Sequence, residues 1–118
     1  MRKKLIGLTC EGKKISFEVK VVPKWYEGIG LMFSFKEKAS ALLFEFKKPV
    51  RMAIHSFFVF FPFVAIWLDD DYNILDIKTV RPFSFRVLPS GKFTKLIEVP
   101  LNKNYNFLNL RRAKERFK

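Results

Sequence analysis

One cysteine and one histidine occur in 118 residues, and these two scarcities exclude much site chemistry. Cys10 alone cannot form an intramolecular disulfide, so nothing demands an oxidising compartment and a cytoplasmic location is the default. A transition-metal site wants several His, Cys or carboxylate ligands; with Cys10 and His55 alone no zinc motif can be written, and no metal or other cofactor is expected. Glycine is sparse, at 5 residues. Gly28 and Gly30 give only the fragment GIG, without the lysine and further glycine of a phosphate-cradling loop. Acidic residues are few: 11 Asp and Glu against 23 Lys and Arg leave a net charge of +12. That excess raises an anionic partner such as nucleic acid, to be weighed against a plainly solvated basic surface.

Long apolar runs are missing as well. The longest, Met52 to Leu68, contains His55 and Ser56, is broken at Pro62, and falls short of the about 20 residues of a membrane helix, so no membrane span is expected. The opening MRKKLIGLTC carries an apolar run only from Leu5 to Leu8, interrupted by Gly7, against the ~7 to 15 residues of an export signal.

What the chain has is aromatic and β-branched residues in alternation. Hydrophobic residues make up 49% of it and Phe occurs 15 times, enough apolar surface for one folded domain over 1–118. Ile15, Phe17, Val19 and Val21 alternate with Lys14, Ser16, Glu18 and Lys20, a half-buried strand joined through a turn at 10–13 to the apolar Leu5 to Thr9. An opening antiparallel hairpin follows. Lys24 to Phe33 reads as a short helix or irregular turn, and Ala41 to Phe46 as a strand ended by Lys47, Lys48 and Pro49.

Met52 to Leu68 reads as strand, kink at Pro62 and strand, with Phe60 in the core, and Asp69 to Asp71 as a polar turn into the strand Ile74 to Val80. Phe83 to Leu88 alternates again, and Pro89, Ser90 and Gly91 turn the chain into Phe93 to Val99, a second predicted hairpin. From Asn106 onward Phe107, Leu110, Ala113 and Phe117 recur at helical spacing among Arg111, Arg112, Lys114, Arg116 and Lys118. This predicts a basic C-terminal helix over 105–118, which either docks its apolar stripe on the domain or orders on a partner. The fold class is therefore mainly β with minor α: a compact antiparallel β-barrel-like single domain with one or two short helices.

The chemical constellations are thin. Asp69, Asp71 and Asn73 match the first ligand positions of a calcium loop, but Ile74 stands where glycine is required and Val80 where the closing glutamate belongs. His55 is the sole imidazole and a candidate pocket residue; a dyad with Ser56 is disfavoured because neighbours on a strand point to opposite faces. Aromatics interleave with cations at Lys24, Trp25 and Tyr26 and again at Arg81, Phe83, Phe85 and Arg86. Such residues on an exposed face would stack bases and neutralise phosphates, although burial of Phe favours a core role for most.

Together, IGLMF (Ile29 to Phe33), ALLFEF (Ala41 to Phe46), IHSFFVFFPFVAIWLD (Ile54 to Asp69), VRPF (Val80 to Phe83) and LIEVP (Leu96 to Pro100) resemble the family called domain of unknown function 192, or uncharacterised protein family 0127, over roughly 15–101. The resemblance implies a small, mostly antiparallel, barrel-like β domain and names no reaction. Relatives usually carry an aspartate where this chain has Val64, and many a Gly-Asp pair where it runs NYNFLNLRR. A function of those acids would be altered here, or Val64 simply repacks a buried position at less cost than an unpaired carboxylate.

The functional expectation is a non-enzymatic binding or interaction module. The alternative is nucleic-acid binding through Arg81, Arg86, Arg111, Arg112, Lys114 and Arg116, and an enzyme built on His55 trails both.

Overall fold

The computed structural model describes residues 2–10, 12–23, 31, 35–56, 58–84 and 86–108, without the side chains of 10 and 106–108. Six strands form one sheet: β1 (Arg2–Cys10), β2 (Lys13–Val21), β3 (Leu42–Val50), β4 (Phe63–Leu68), β5 (Ile74–Val80) and β6 (Phe93–Pro100), in the spatial order β1-β2-β3-β6-β4-β5. All neighbours are antiparallel except β2 and β3, which run parallel over Lys20–Val21 and Leu42–Leu43. The expected opening hairpin is present and longer than the alternation suggested, with Arg2 opposite Val21 and Cys10 opposite Lys13. Gly12 makes its turn at φ 76, a conformation that glycine adopts without a Cβ penalty.

The β4–β5 turn is built by its first aspartate. Asp69 Oδ1 accepts the amides of Asp71 and Asn73, each at 2.9 Å, and Oδ2 accepts Asn73 Nδ2 at 3.0 Å. These bonds, the Asn73 side chain foremost, hold the Asp69 carboxyl below its ordinary range. The acidic triplet is thus a solvated hairpin turn, as its composition indicated.

The sheet curls until β1 approaches β5, giving a half-barrel with two cores. Alternation along β4 divides them. Val64, Ile66 and Leu68 point inward to join Ile6, Leu8, Leu43 and Ile97, while Phe63, Ala65 and Trp67 point outward to Phe44, Phe61 and Phe93. All six residues of β4 are buried, which is why this stretch reads as an unbroken apolar run.

Three expectations need correction. The described residues of 52–61, all but 57, are not a strand but irregular with one bridge, Ile54 to Val87, and Phe60 lies 62% exposed. The described residues of 83–88, all but 85, form no strand either, and the second predicted hairpin does not form: β6 lies between β3 and β4. The reason is topological: with both edges of β6 taken by β3 and β4, the segment after β5 cannot pair with β6, and Val87 bridges Ile54 instead. Lys47, Lys48 and Pro49 do not end β3, which runs to Val50 through a register shift after Glu45.

The only helical turns among the described residues are 3-10, at Lys36–Lys38 and Lys103–Leu108. The predicted turn at Lys24 to Phe33 lies almost wholly outside the described residues, as does the basic helix beyond Leu108. Among the described residues no helix is long and apolar enough to cross a membrane.

Candidate functional site

The two segments without a ladder form a loop layer over the outer core, held together by one small residue. Ser56 is fully buried. Its Oγ donates to the Arg81 carbonyl at 2.5 Å and accepts the Ser84 amide at 2.6 Å. Its backbone N–H donates to the Ser84 carbonyl at 3.0 Å, and its carbonyl accepts the amides of Val59 at 3.1 Å and Phe83 at 2.9 Å. Ile54 and Val87 exchange two further backbone bonds of 2.9 Å. Asp76 and Lys78 of β5 tie down the far end through the Ser90 amide and the Leu88 carbonyl. Backbone groups that would have gone to a sheet are satisfied locally instead.

Outward from this frame stand large apolar side chains. Met52 is 47% exposed, Phe58 48%, Phe60 62% and Phe83 48%. The Phe60 and Phe83 rings meet edge to face at 5.4 Å. Phe58 and Phe83 both have φ 59, a left-handed conformation that costs a bulky residue about 1–3 kcal/mol and persists only where its surroundings over-determine it. The Ser56 bonds supply that constraint on both sides of Phe83. Arg81 and Arg86 are exposed on the same loop and Arg51 on the other, so the face combines aromatic rings with positive charge.

This face brings together three of the residues singled out from sequence. His55, Arg81 and Arg86 all lie on it and all are exposed. Ser56, with its Oγ buried and engaged in two bonds, is not free to act as a nucleophile beside His55. His55 does not line the cleft of about 350 Å³ whose walls include Phe17, Val19, Lys20, Ser40 and Tyr105. Arg111, Arg112, Lys114 and Arg116 lie outside the described residues. Among the described residues no group of three or more His, Cys, Asp and Glu could hold a metal ion.

Sequence reasoning missed Glu98. It sits in β6 opposite Leu42 of β3 and Ala65 of β4 and is 6% exposed. Burial pushes its carboxyl up to about 8, so it is largely protonated at neutral pH and able to donate a hydrogen bond. The available signal was a single acid in the otherwise apolar LIEVP. Trp67 Nε1 and Thr94 Oγ1 are buried without a hydrogen bond.

Comparison with known proteins agrees with this architecture. The family model for domain of unknown function 192, described as an uncharacterised ACR, matches residues 8–105. A curated relative, UPF0127 protein PH1112 of Pyrococcus horikoshii, is 26% identical over 93 residues, covering 76% of this chain and 80% of the relative. Two solved structures share the fold. A proposed transcription regulator of Sinorhizobium meliloti 1021 superposes with a TM-score of 0.75 at 17% identity, over 92% of this chain and 87% of the other. A protein of unknown function from Novosphingobium aromaticivorans has a TM-score of 0.74 at 15% identity, over 91% and 79%.

Proposed function

This chain belongs to the domain of unknown function 192 family, and from that premise we propose that it is a non-enzymatic binding module whose working surface is the loop layer of 51–62 and 81–92. The observation that carries the reading is the display of Met52, Phe58, Phe60 and Phe83 to solvent, with two of the rings held at φ 59. Exposed apolar side chains gathered in one place mark interaction sites, and backbone strain is retained where it serves one. The lone Cys10 keeps a cytoplasmic setting as part of the same reading.

A more specific version, binding of single-stranded nucleic acid, is favoured by one feature: the exposed Phe60–Phe83 ring pair includes a residue two positions along the same loop from the exposed Arg81. Bases stack on exposed rings without sequence preference while guanidinium groups neutralise phosphate. Fluorescence anisotropy of labelled single- and double-stranded oligonucleotides, over a salt series from about 50 to 200 mM, tests it. The expected result is salt-sensitive binding that prefers single strands and is lost in the Phe60→Ala/Phe83→Ala double variant. No binding at the lowest salt removes nucleic acid and leaves the loop face to a protein partner. Binding that the double variant retains removes the face itself.

A further inference from the structure

The inner face of the half-barrel changes character at one end. Along β1 the inward positions run Leu8, Ile6, Lys4, Arg2; along β3, Leu43 then Glu45; along β6, Val99, Ile97 then Lys95. Four charged side chains from three strands therefore continue the inward stripes beyond the apolar core and converge. Lys95 Nζ lies 3.8 Å and Lys4 Nζ 3.9 Å from the same oxygen, Glu45 Oε2, and Arg2 Nη2 lies 3.9 Å from Oε1. Tyr72, from the β4–β5 turn, closes the group: the Lys4 and Lys95 ammonium groups each lie 5.3 Å from the centre of its ring.

We propose that this mouth binds an oxyanion of the phosphate class. Within the cluster three cations face one carboxylate, and the Asp69–Asp71 carboxylates stand outside it on the turn that carries Tyr72. None of the three ion pairs is short enough for a hydrogen bond, which for N–H···O spans roughly 2.7–3.2 Å. The Arg2 and Lys4 side chains are 72% and 40% exposed and open to solvent, whereas the Lys95 side chain is only 14% exposed. The Tyr72 hydroxyl is buried and unbonded. Two ammonium groups on one carboxylate oxygen repel each other, and the Tyr72 ring holds both in place. A phosphate group, carrying about −1.5 to −2 near neutral pH, complements the three cations and presents several acceptor oxygens to them.

The site is separate from the loop layer and does not depend on how that face is used. Its test is an amide NMR titration of the full chain with inorganic phosphate, and in parallel with O-phosphoserine, at constant ionic strength. Saturable shifts centred on Lys4, Glu45, Tyr72 and Lys95 are expected, with tighter binding of phosphoserine assigning an ester and tighter binding of phosphate a free ion. Lys95→Met should weaken binding at least about tenfold, and Glu45→Gln, which removes the competing charge, should strengthen it by a similar factor. Should Lys95→Met fail to fold, Lys4→Met, at a more exposed position, carries the same test. Shifts that never saturate, that centre on Arg81 and Arg86, or that are unmoved by Glu45→Gln overturn the proposal and leave the mouth a structural ion-pair cluster.

Discussion

The two cores on either side of β4 are built from different materials. The inner one is aliphatic, with Phe17 its sole fully packed aromatic among the described residues, beside Ile6, Leu8, Leu43, Val64, Ile66, Leu68, Ile77, Ile97 and Val99. The outer one holds Phe44, Phe61, Phe63, Trp67 and Phe93. A sheet curling on itself brings regular rows of side chains together, and branched aliphatics interdigitate there with few gaps. Irregular loops leave uneven space, which large rings fill. The loop-covered side also carries the polar anomalies, Glu98 and the unbonded Trp67 Nε1, and displays Phe58, Phe60 and Phe83 to solvent. Regular packing makes the scaffold; the looser, aromatic side is where it can meet something else.

The largest expected effect probes the outer packing. Trp67→Ala should destabilise by roughly 3–5 kcal/mol, measured by urea denaturation, because Trp67 is fully buried and its ring packs against Phe93 at 6.5 Å. Ile66→Val, one residue along on the inner face, should cost about 0.5–1.5 kcal/mol. A Trp67→Ala loss no larger than that of Ile66→Val would make the loop cover slack and break the contrast between the two cores.

Glu98 gives the contrast a pH dependence. Its folded carboxyl titrates near 8 against an ordinary 4.5, so the folded state holds a proton that the unfolded chain releases. The stability this group contributes is fully present below about pH 4.5 and is lost as pH rises toward 8. At about 1.4 kcal/mol per unit, the loss between pH 4.5 and pH 7 is on the order of 3 kcal/mol. Glu98→Gln, neutral throughout, should remove that slope and be more stable than the parent at pH 7 and above. Equal pH profiles for parent and variant would mean that water or a cation reaches the carboxylate.

The regular half of the molecule was far more legible than the loop layer. The β1–β2 hairpin, β5 and the Asp69 turn follow from alternation and turn chemistry that act within a few residues. Val64 occupies a fully buried inward position, where the apolar residue fits. Residues 52–61 and 83–88 carry the same aromatic, alternating signal, yet strand propensity records fit to a pleated surface and not whether an edge is open to pair with. The left-handed backbone at Phe58 and Phe83 has no local sequence signal, since neither glycine nor asparagine stands there. The acid in LIEVP reads as the exposed face of a half-buried strand unless both faces are known to be covered. The charged mouth was hidden for a related reason: Arg2, Lys4, Glu45 and Lys95 are scattered along the chain, and only the register of β1, β3 and β6 points them the same way.

The smallest stability effect distinguishes scaffold from surface within one dipeptide. Phe60 is 62% exposed and Phe61 is 2% exposed. Phe61→Ala should cost roughly 3–5 kcal/mol, whereas Phe60→Ala should stay within about 0.5–1 kcal/mol of the parent, the scale of one exposed edge-to-face ring pair. If Phe60 serves only to cover Phe83, then Phe60→Leu, which keeps apolar area but loses the ring, should leave both stability and binding unchanged. If it serves a partner, Phe60→Leu should keep the melting temperature and weaken binding. Reading both quantities on the same samples separates the cost of folding the loop layer from the use made of it. A large loss of stability in Phe60→Ala would place the ring back in the fold and withdraw the loop face as a binding surface.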